Sequence, residues 1–278
     1  MVRSKVRAYD YVVTWLQYII GAIAIIFFFF PILWLLKASF NQQIDAITLP
    51  PVWIFKPILD NYIAIFKEEP FLRFLRNSIL VSGGATFVAI MIGLPAACAF
   101  ARFEFKGKKD LGFWILSIFM FPPLASILPY LILFKNFRLV DTIPGMVLAH
   151  LSFLLPLSVW LLQRFIRDIP TEIEESAIVD GAGTLQRLYR LIVPLMASGI
   201  ASTAIFCFIF SWNDFIFALV LAPVSAKTLP VASVSLSSWA YINWGKISAA
   251  SVIITGPVFV LVMLSRRYLV RGFTFGLK

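Results

Sequence analysis

Five stretches of this chain carry no Asp, Glu, Lys or Arg: residues 18–36, 77–101, 111–134, 142–163 and 247–265. A sixth, 191–226, is broken only by Asp214. A helix that crosses a bilayer needs roughly 17–25 mostly apolar residues, and each of these windows supplies them. The chain is 60% hydrophobic and 14% charged over 278 residues, with a mean hydropathy of +0.90, too little charge to cover a soluble domain of that length. Strands of a membrane barrel alternate apolar and polar side chains, which these continuous runs do not. The expected fold is therefore all-α and polytopic, a single membrane domain over 1–278 with six transmembrane helices. Arg3, Lys5 and Arg7 precede the first run as in a signal peptide. Its apolar core is too long for one and no small-residue cleavage site follows Leu36, so it is expected to stay as a span.

The formal net charge of +10 raises the question of nucleic acid, and its distribution answers it. With the N-terminus inside, 15 of the 24 Lys and Arg fall on inner segments and the rest on outer ones. That is the positive-inside bias of a multi-pass protein of the bacterial cytoplasmic (inner) membrane with both termini cytoplasmic. No basic patch interleaved with aromatic residues points to nucleic acid. Cys98 and Cys207 lie inside predicted spans and read as small buried apolar residues, not as metal ligands or a disulfide.

Connections between the spans are uneven. The inner turn 102–110 is short and basic. The outer segment 37–76 holds Pro50, Pro51, Pro57 and several aromatic residues, and reads as an interfacial loop with one short helix. Pro122 and Pro123 stand in the middle of the third window and are expected to unwind or kink it. Kinking for packing alone and a broken helix that lines a pathway both fit.

Residues 168–195 interrupt the apolar pattern. Pro170 suits a helix start, and Thr171 with Glu174 matches a capping box, in which the two side chains satisfy each other's backbone donors. Glu172, Glu174 and Glu175 favour that N-terminus through the helix dipole. Asp180-Gly181-Ala182-Gly183 supplies turn chemistry, and Thr184 is placed to cap a second helix whose Leu188, Ile192 and Leu195 run on into the fifth span. Ile173, Ala177 and Ile178 share a face of the first helix. A short apolar stripe flanked by acids on a water-facing loop needs a cover, either the protein's own helix ends or a partner.

The stretch EESAIVDGAGTLQRLYRLIVPL, residues 174–195, resembles the E-A-A signature of bacterial ABC importer permeases. Glu175, Ala177, Asp180, Gly181, Ala182, Ile192 and Pro194 match, Ser176 stands where the middle Ala is usual, and Val193 precedes the proline where Leu is commoner. Arg76-Asn77-Ser78, the SWNDF run at 211–215 and the ending RGFTFGLK resemble the maltose-type carbohydrate permeases in particular. The resemblance implies a permease subunit of a carbohydrate importer, forming half of the translocation pathway. It also implies that a loop at about 166–196, between spans 4 and 5, acts as a coupling helix docking on a cytoplasmic ATPase, with Glu172, Glu175, Ala177, Ile178, Asp180, Gly181, Ala182 and Leu185 as the residues concerned. The implied partners are a second homologous permease, two copies of the ATPase and an extracytoplasmic sugar-binding protein. The chain has no G-x-x-x-x-G-K-[ST] phosphate loop, so it is not expected to be an enzyme or to hold a cofactor, with ATP and Mg bound by the ATPase.

Asp214 within the fifth window would cost roughly 2.5–3.5 kcal/mol at mid-membrane on insertion scales. It is expected to face the protein interior or a wet cavity, together with Trp212, Asn213 and Pro122 as candidate pathway residues, or to serve as a buried structural hydrogen-bonder. His150, the only histidine, reads as a satisfied helix-packing residue. Trp239, Tyr241 and Trp244 read as interfacial anchors. An ion-coupled secondary transporter of a small polar solute is the alternative, but it needs several intramembrane ionisable groups, and Asp214 and His150 are few. An embedded enzyme lacks any cluster of nucleophile, base and metal ligands.

Overall fold

A computed structural model of the chain describes residues 2–68, 70–236 and 243–274, and their side chains except at 2–10, 12, 47, 68 and 266–274. No β-strand occurs among the described residues. Four helices are long and apolar enough to span a bilayer without interruption: α1 (Val2–Ser39), α4 (Phe71–Arg102), α7 (Ile143–Arg167) and α14 (Trp244–Thr274). Two further crossings are bent pairs, which brings the total to six if each pair is one span. The chain forms two compact units. The first comprises the residues up to Glu69 with Leu236–Ile253, and the second Pro70–Ser235 with the chain from Ile254 on.

In the first unit, α2 (Gln43–Ile47) and α3 (Asp60–Glu68) follow α1, so the loop expected to hold one short helix holds two. The buried Asn61 amide donates to the carbonyls of Ser39 and Asn41, both at 2.9 Å, which satisfies the carbonyls at the turn that ends α1. Tyr62 adds a hydrogen bond to the Ser39 hydroxyl at 2.8 Å. Trp244 opens α14 with its side chain partly exposed. Trp239 and Tyr241 lie outside the described residues, as do the last four residues of RGFTFGLK.

The second unit is built around α4 and α7. Lipid is as apolar as a leucine side chain, so helices associate there through close packing and interhelical hydrogen bonds. The buried side of α4 supplies the closeness: Ala85, Ala89, Gly93 and Ala97 recur at four-residue steps. A Cβ on Gly93 would overlap Ser158 of α7, and the Ser158 hydroxyl donates to the Ala89 carbonyl at 3.0 Å. Cys207 of α11 (Ala197–Trp212) packs with Ala85, Ala89, Leu154 and Leu157. Cys98 packs with Leu162, Ile166 and Leu188, so both cysteines are buried apolar residues and unpaired.

Backbone breaks fall at prolines. The pair α5 (Lys108–Met120) and α6 (Pro123–Asn136) bends by 94°. Neither Pro122 nor Pro123 has an amide hydrogen to continue the ladder, and the residue before each is pushed out of the helical region; Phe121 and Pro122 are extended. The fifth crossing does not run on smoothly from residue 184 as expected. Short helices α9 (Thr184–Arg187) and α10 (Val193–Leu195) flank a π-turn over Leu188–Ile192, and a bend of 81° follows before α11. Pro194 lies between the π-turn and the bend, and it cannot donate to the preceding turn.

The turn between α6 and α7 ties down the segment between α12 (Ile216–Leu221) and α13 (Leu229–Ser235). Asp141, at φ +59°, accepts from the amides of Val224 (3.1 Å), Ser225 (2.7 Å) and Ala226 (3.0 Å). From α4, Asn77 donates to the carbonyls of Ser225 and Lys227, each at 3.0 Å. The Ser78 hydroxyl accepts from the Leu229 amide at 2.8 Å. Burial pushes the Asp141 carboxyl up, but these amides outweigh it and hold the group below its usual value. A carboxyl lowered on folding stabilises the native state above its unfolded value, near 3.9, and loses that contribution as pH falls through the folded value. Asp141→Asn is therefore expected to lower the Tm of the detergent-solubilised protein at pH 7, with the gap to wild type closing as pH drops below about 4. Equal Tm values at pH 7 would remove the clamp.

Candidate functional site

Between α7 and α11 the chain forms an elbow of α8 (Thr171–Val179) and α9. Pro170 precedes α8 in an extended conformation, but no side chain caps the helix, so the expected Thr171–Glu174 capping box is absent. Glu174 turns the other way. Its side chain is 8% exposed, and Oε1 accepts from Arg102 Nε at 2.5 Å. A long-range guanidinium on the last turn of α4 has outcompeted the local amide.

Arg102 does more than pair with Glu174. Its Nη2 donates to the carbonyls of Ile166 (2.8 Å) and Ile169 (2.7 Å), at the C-terminal end of α7, where backbone acceptors lack helical partners and a cation is favoured. Arg187 Nη1 of α9 lies 3.9 Å from Glu174 Oε2. One carboxylate thus sits between two guanidinium groups, and one guanidinium joins α4, α7 and α8.

The rest of α8 is open. Glu172, Glu175 and Ser176 are exposed and Ala177 is half-buried. Ile173 is 39% exposed, Ile178 51% and Val179 87%, and Leu185 on α9 is 68% exposed. Of the apolar stripe expected on this helix, Ile173 and Ile178 are left exposed by the protein's own helix ends and Ala177 is partly covered. The turn after α8 follows from local chemistry. Gly181 takes φ +80°, its amide donates to Ile178 at 3.0 Å and that of Ala182 to Ala177 at 2.9 Å, the two bonds of a Schellman ending. Asp180 and Gly181 are exposed, Ala182 is half-buried, and nothing lies within 4 Å of where a Gly181 Cβ would point.

The second group of candidate residues lies where α11 ends. Trp212 is buried and donates from Nε1 to the Ile254 carbonyl at 3.1 Å, so it fills the core. Asn213 is exposed and donates to the Ile209 carbonyl of its own helix. The Asp214 side chain is 10% exposed. Its Oδ2 lies 3.2 Å from His150 Nε2 and accepts from the Ala218 amide at 3.1 Å, in the first turn of α12. His150 Nδ1 is 2.6 Å from the Ser211 hydroxyl, so the lone histidine is a packed, satisfied residue. Pro122 is exposed at the break between α5 and α6. A recess of about 360 Å³ lined by Trp114, Phe121, Pro123, Tyr130, Phe153 and Phe217 opens there. Phe153 stacks on Phe217 at 5.9 Å and faces His150 at 5.3 Å. The break and the Asp214–His150 pair thus flank one aromatic wall, whereas the α8–α9 residues form a separate surface.

Sequence reasoning missed Glu174 and Arg102 as partners. The available signal was an acid and a basic cluster on different segments of the same predicted side. It also missed what Asn77 and Ser78 hold, about 150 residues away in the chain, for which no local signal exists.

Known proteins share this architecture. Residues 89–275 match the family described as the binding-protein-dependent transport system inner membrane component. The trehalose transport system permease protein SugB of Mycobacterium tuberculosis is 37% identical over 252 residues, covering 88% of this chain and 90% of SugB. The trehalose/maltose transport system permease protein MalG of Thermococcus litoralis is 34% identical over 265 residues, covering 93% and 94%. The inner membrane ABC transporter permease protein YcjP of Escherichia coli is 33% identical over 259 residues, covering 92% of each chain. Among solved structures, a chain of a bacterial ABC transporter involved in the import of the polysaccharide alginate aligns with a TM-score of 0.76 at 21% identity, covering 93% of this chain and 97% of that one. A chain of the MetNI methionine ABC transporter aligns at 0.60 with 14% identity, covering 73% and 98%. These likenesses carry the fold. The chain belongs to the family of inner-membrane components of binding-protein-dependent transport systems. It is a multi-pass permease of an ABC importer and not an enzyme, because ATP hydrolysis belongs to a separate subunit. The ion-coupled transporter reading falls away.

Proposed function

We propose that this permease forms half of a carbohydrate-conducting pathway and that α8 with the turn after it is the surface on which a cytoplasmic ATPase docks. The observation that carries the docking reading is the uncovered apolar face of the elbow: Ile178, Val179 and Leu185 project outward. Covering one such side chain is worth about 1.5–3 kcal/mol, so a partner gains what the isolated chain forgoes. Glu172, Glu175 and Asp180 surround that face with negative charge suited to basic residues on the partner. Gly181 and Ala182 leave room for another backbone to approach. The working assembly is this chain, a second homologous permease, two copies of the ATPase and an extracytoplasmic binding protein. The permease itself holds no cofactor, and ATP with Mg sits on the ATPase. The relatives named for trehalose and trehalose/maltose transport support a carbohydrate cargo.

Orientation follows from the basic segments. The turn between α4 and α5 and the α8–α9 elbow face the cytoplasm, as do both termini, and the loop between α12 and α13 faces outward. Single cysteines introduced at Lys106 and at Val224 test this in intact cells. Membrane-impermeant maleimide is expected to label position 224 and to spare position 106; the reverse pattern would invert the topology.

Docking is tested at two positions. Ala177→Arg places a charge on the apolar face, and Gly181→Trp fills space that this chain leaves open. Both are expected to insert normally, to lose at least about tenfold of the co-purified ATPase, a loss of roughly 1.4 kcal/mol in binding, and to abolish uptake. Gly181→Ala adds only the strain of a left-handed residue, about 1–2 kcal/mol, and is expected to retain most of both. Full ATPase retention and uptake in the two bulky variants would end the docking reading.

Pro122, Trp212, Asn213 and Asp214 mark the pathway side. Irregular backbone at membrane depth is tolerated where it is buried in protein or lines a water-filled cavity. The exposed break at Pro122 beside a recess of about 360 Å³ supports a pathway reading, with exposed Asn213 and the packed Trp212 and Asp214 shaping the end of α11. Asp214→Asn keeps the shape and one acceptor for the α12 amides, so uptake is expected to fall mildly. Asp214→Leu removes the acceptor and leaves His150 Nε2 unpaired, so uptake is expected to fall severely while the ATPase stays bound. Normal uptake in Asp214→Leu would take this residue off the pathway; loss of the assembled complex would make it a purely structural group.

A further inference from the structure

We propose that Glu174 is the positioning residue through which movement of α8 reaches the membrane helices. The inference rests on the reading of α8 as the ATPase-docking helix and identifies what fastens that helix to the rest of the chain. Of the nine residues of α8, Glu174 is the one that is buried. An amphipathic helix is ordinarily held to its protein by an apolar face, but here Ile178 and Val179 point away and the one buried side chain is a carboxylate. Its grip is polar and specific: Oε1 to Arg102 at 2.5 Å, with Arg187 3.9 Å from Oε2. Arg102 is in turn locked, 12% exposed, with Nη2 on the carbonyls of Ile166 and Ile169. A push on α8 therefore arrives, through one carboxylate and one guanidinium, at the ends of α4 and α7, the two helices that pack along the interdigitated Ala89, Gly93 and Ser158 seam.

The residue types suit this task. A planar guanidinium bonds a carboxylate and two carbonyls at fixed angles, which a lysine ammonium does not reproduce. A desolvated, charge-assisted pair is also short and directional, so it transmits displacement with little slack. The chain itself joins α8 to the spans at Asp168–Pro170 and, at the other end, through the turn from Asp180 to Gly183.

The test uses the complete transporter, reconstituted with its ATPase and binding protein, and reads three quantities: ATPase retained on purification, ATP hydrolysed, and sugar imported per ATP. Glu174→Ala, Glu174→Gln and Arg102→Lys are expected to keep the ATPase, because the docking face is untouched, and to hydrolyse ATP while importing at least about tenfold less sugar for each one. Two results overturn the proposal: an unchanged import ratio in Glu174→Gln and Arg102→Lys, or loss of the ATPase from these variants, which would place Glu174 in the docking contact itself. If Glu174→Ala does not insert, Glu174→Gln and Arg102→Lys decide. Failure of the underlying docking reading shows separately, as ATPase retention by Ala177→Arg, and removes the link with it.

Discussion

In a bilayer every backbone amide and carbonyl must find its partner inside the protein, and this constraint explains where the chain is straight and where it is not. Uninterrupted helices need nothing further, and α4 and α7 use the freedom to pack closely on small residues. Several helix ends bring their own polar partners. The carbonyls at the end of α7 are met by Arg102, and the amides beginning α12 by Asp214. The amides between α12 and α13 are met by Asp141, and the carbonyls there by Asn77. The charged and amide side chains within or beside the spans are largely explained by the helix ends they close.

One of these closures has been put to a second use. Arg102 already bonds the carbonyls where α7 ends, and adding Glu174 to the same guanidinium attaches α8 through its one buried side chain. Removing one partner from a buried ion pair typically costs about 3–5 kcal/mol, because the other charge is left buried and unpaired, so neither Arg102 nor Glu174 is expendable once the other is in place. The consequence is a division of labour along nine residues. One buried charge, Glu174, holds the helix, while Ile178 and Val179 face outward beside the exposed Glu172 and Glu175.

Local features were legible in the sequence and distant pairings were not. Charge-free windows marked the spans because nothing else can satisfy lipid over that length, and Pro122–Pro123 marked a break because proline removes a donor wherever it stands. The ending of α8 at Gly181 was legible for the same reason, since a left-handed residue after a helix is a local requirement. Thr171 and Glu174 also satisfied a local pattern, yet Glu174 paired with Arg102, 72 residues away. A charge-assisted bond in a desolvated site outweighs an exposed cap that water can replace. His150 and Asp214, 64 residues apart, were legible as polar groups needing partners, but not as partners of each other. The bend after Leu195 was hidden because Pro194 lies in a stretch whose apolar spacing reads as one continuous helix.

The central claim is that α8 moves as one body with the ends of α4 and α7 because a buried carboxylate joins them. Spin labels on Ser176 and Arg164, both exposed and neither on the apolar docking face, measured by double electron–electron resonance in the complete transporter, test it most directly. A single narrow distance that stays the same in nucleotide-free, ATP-bound and post-hydrolysis states is the predicted result. A distance that shifts or broadens between those states would mean that α8 slides on its own chain, and would contradict the account.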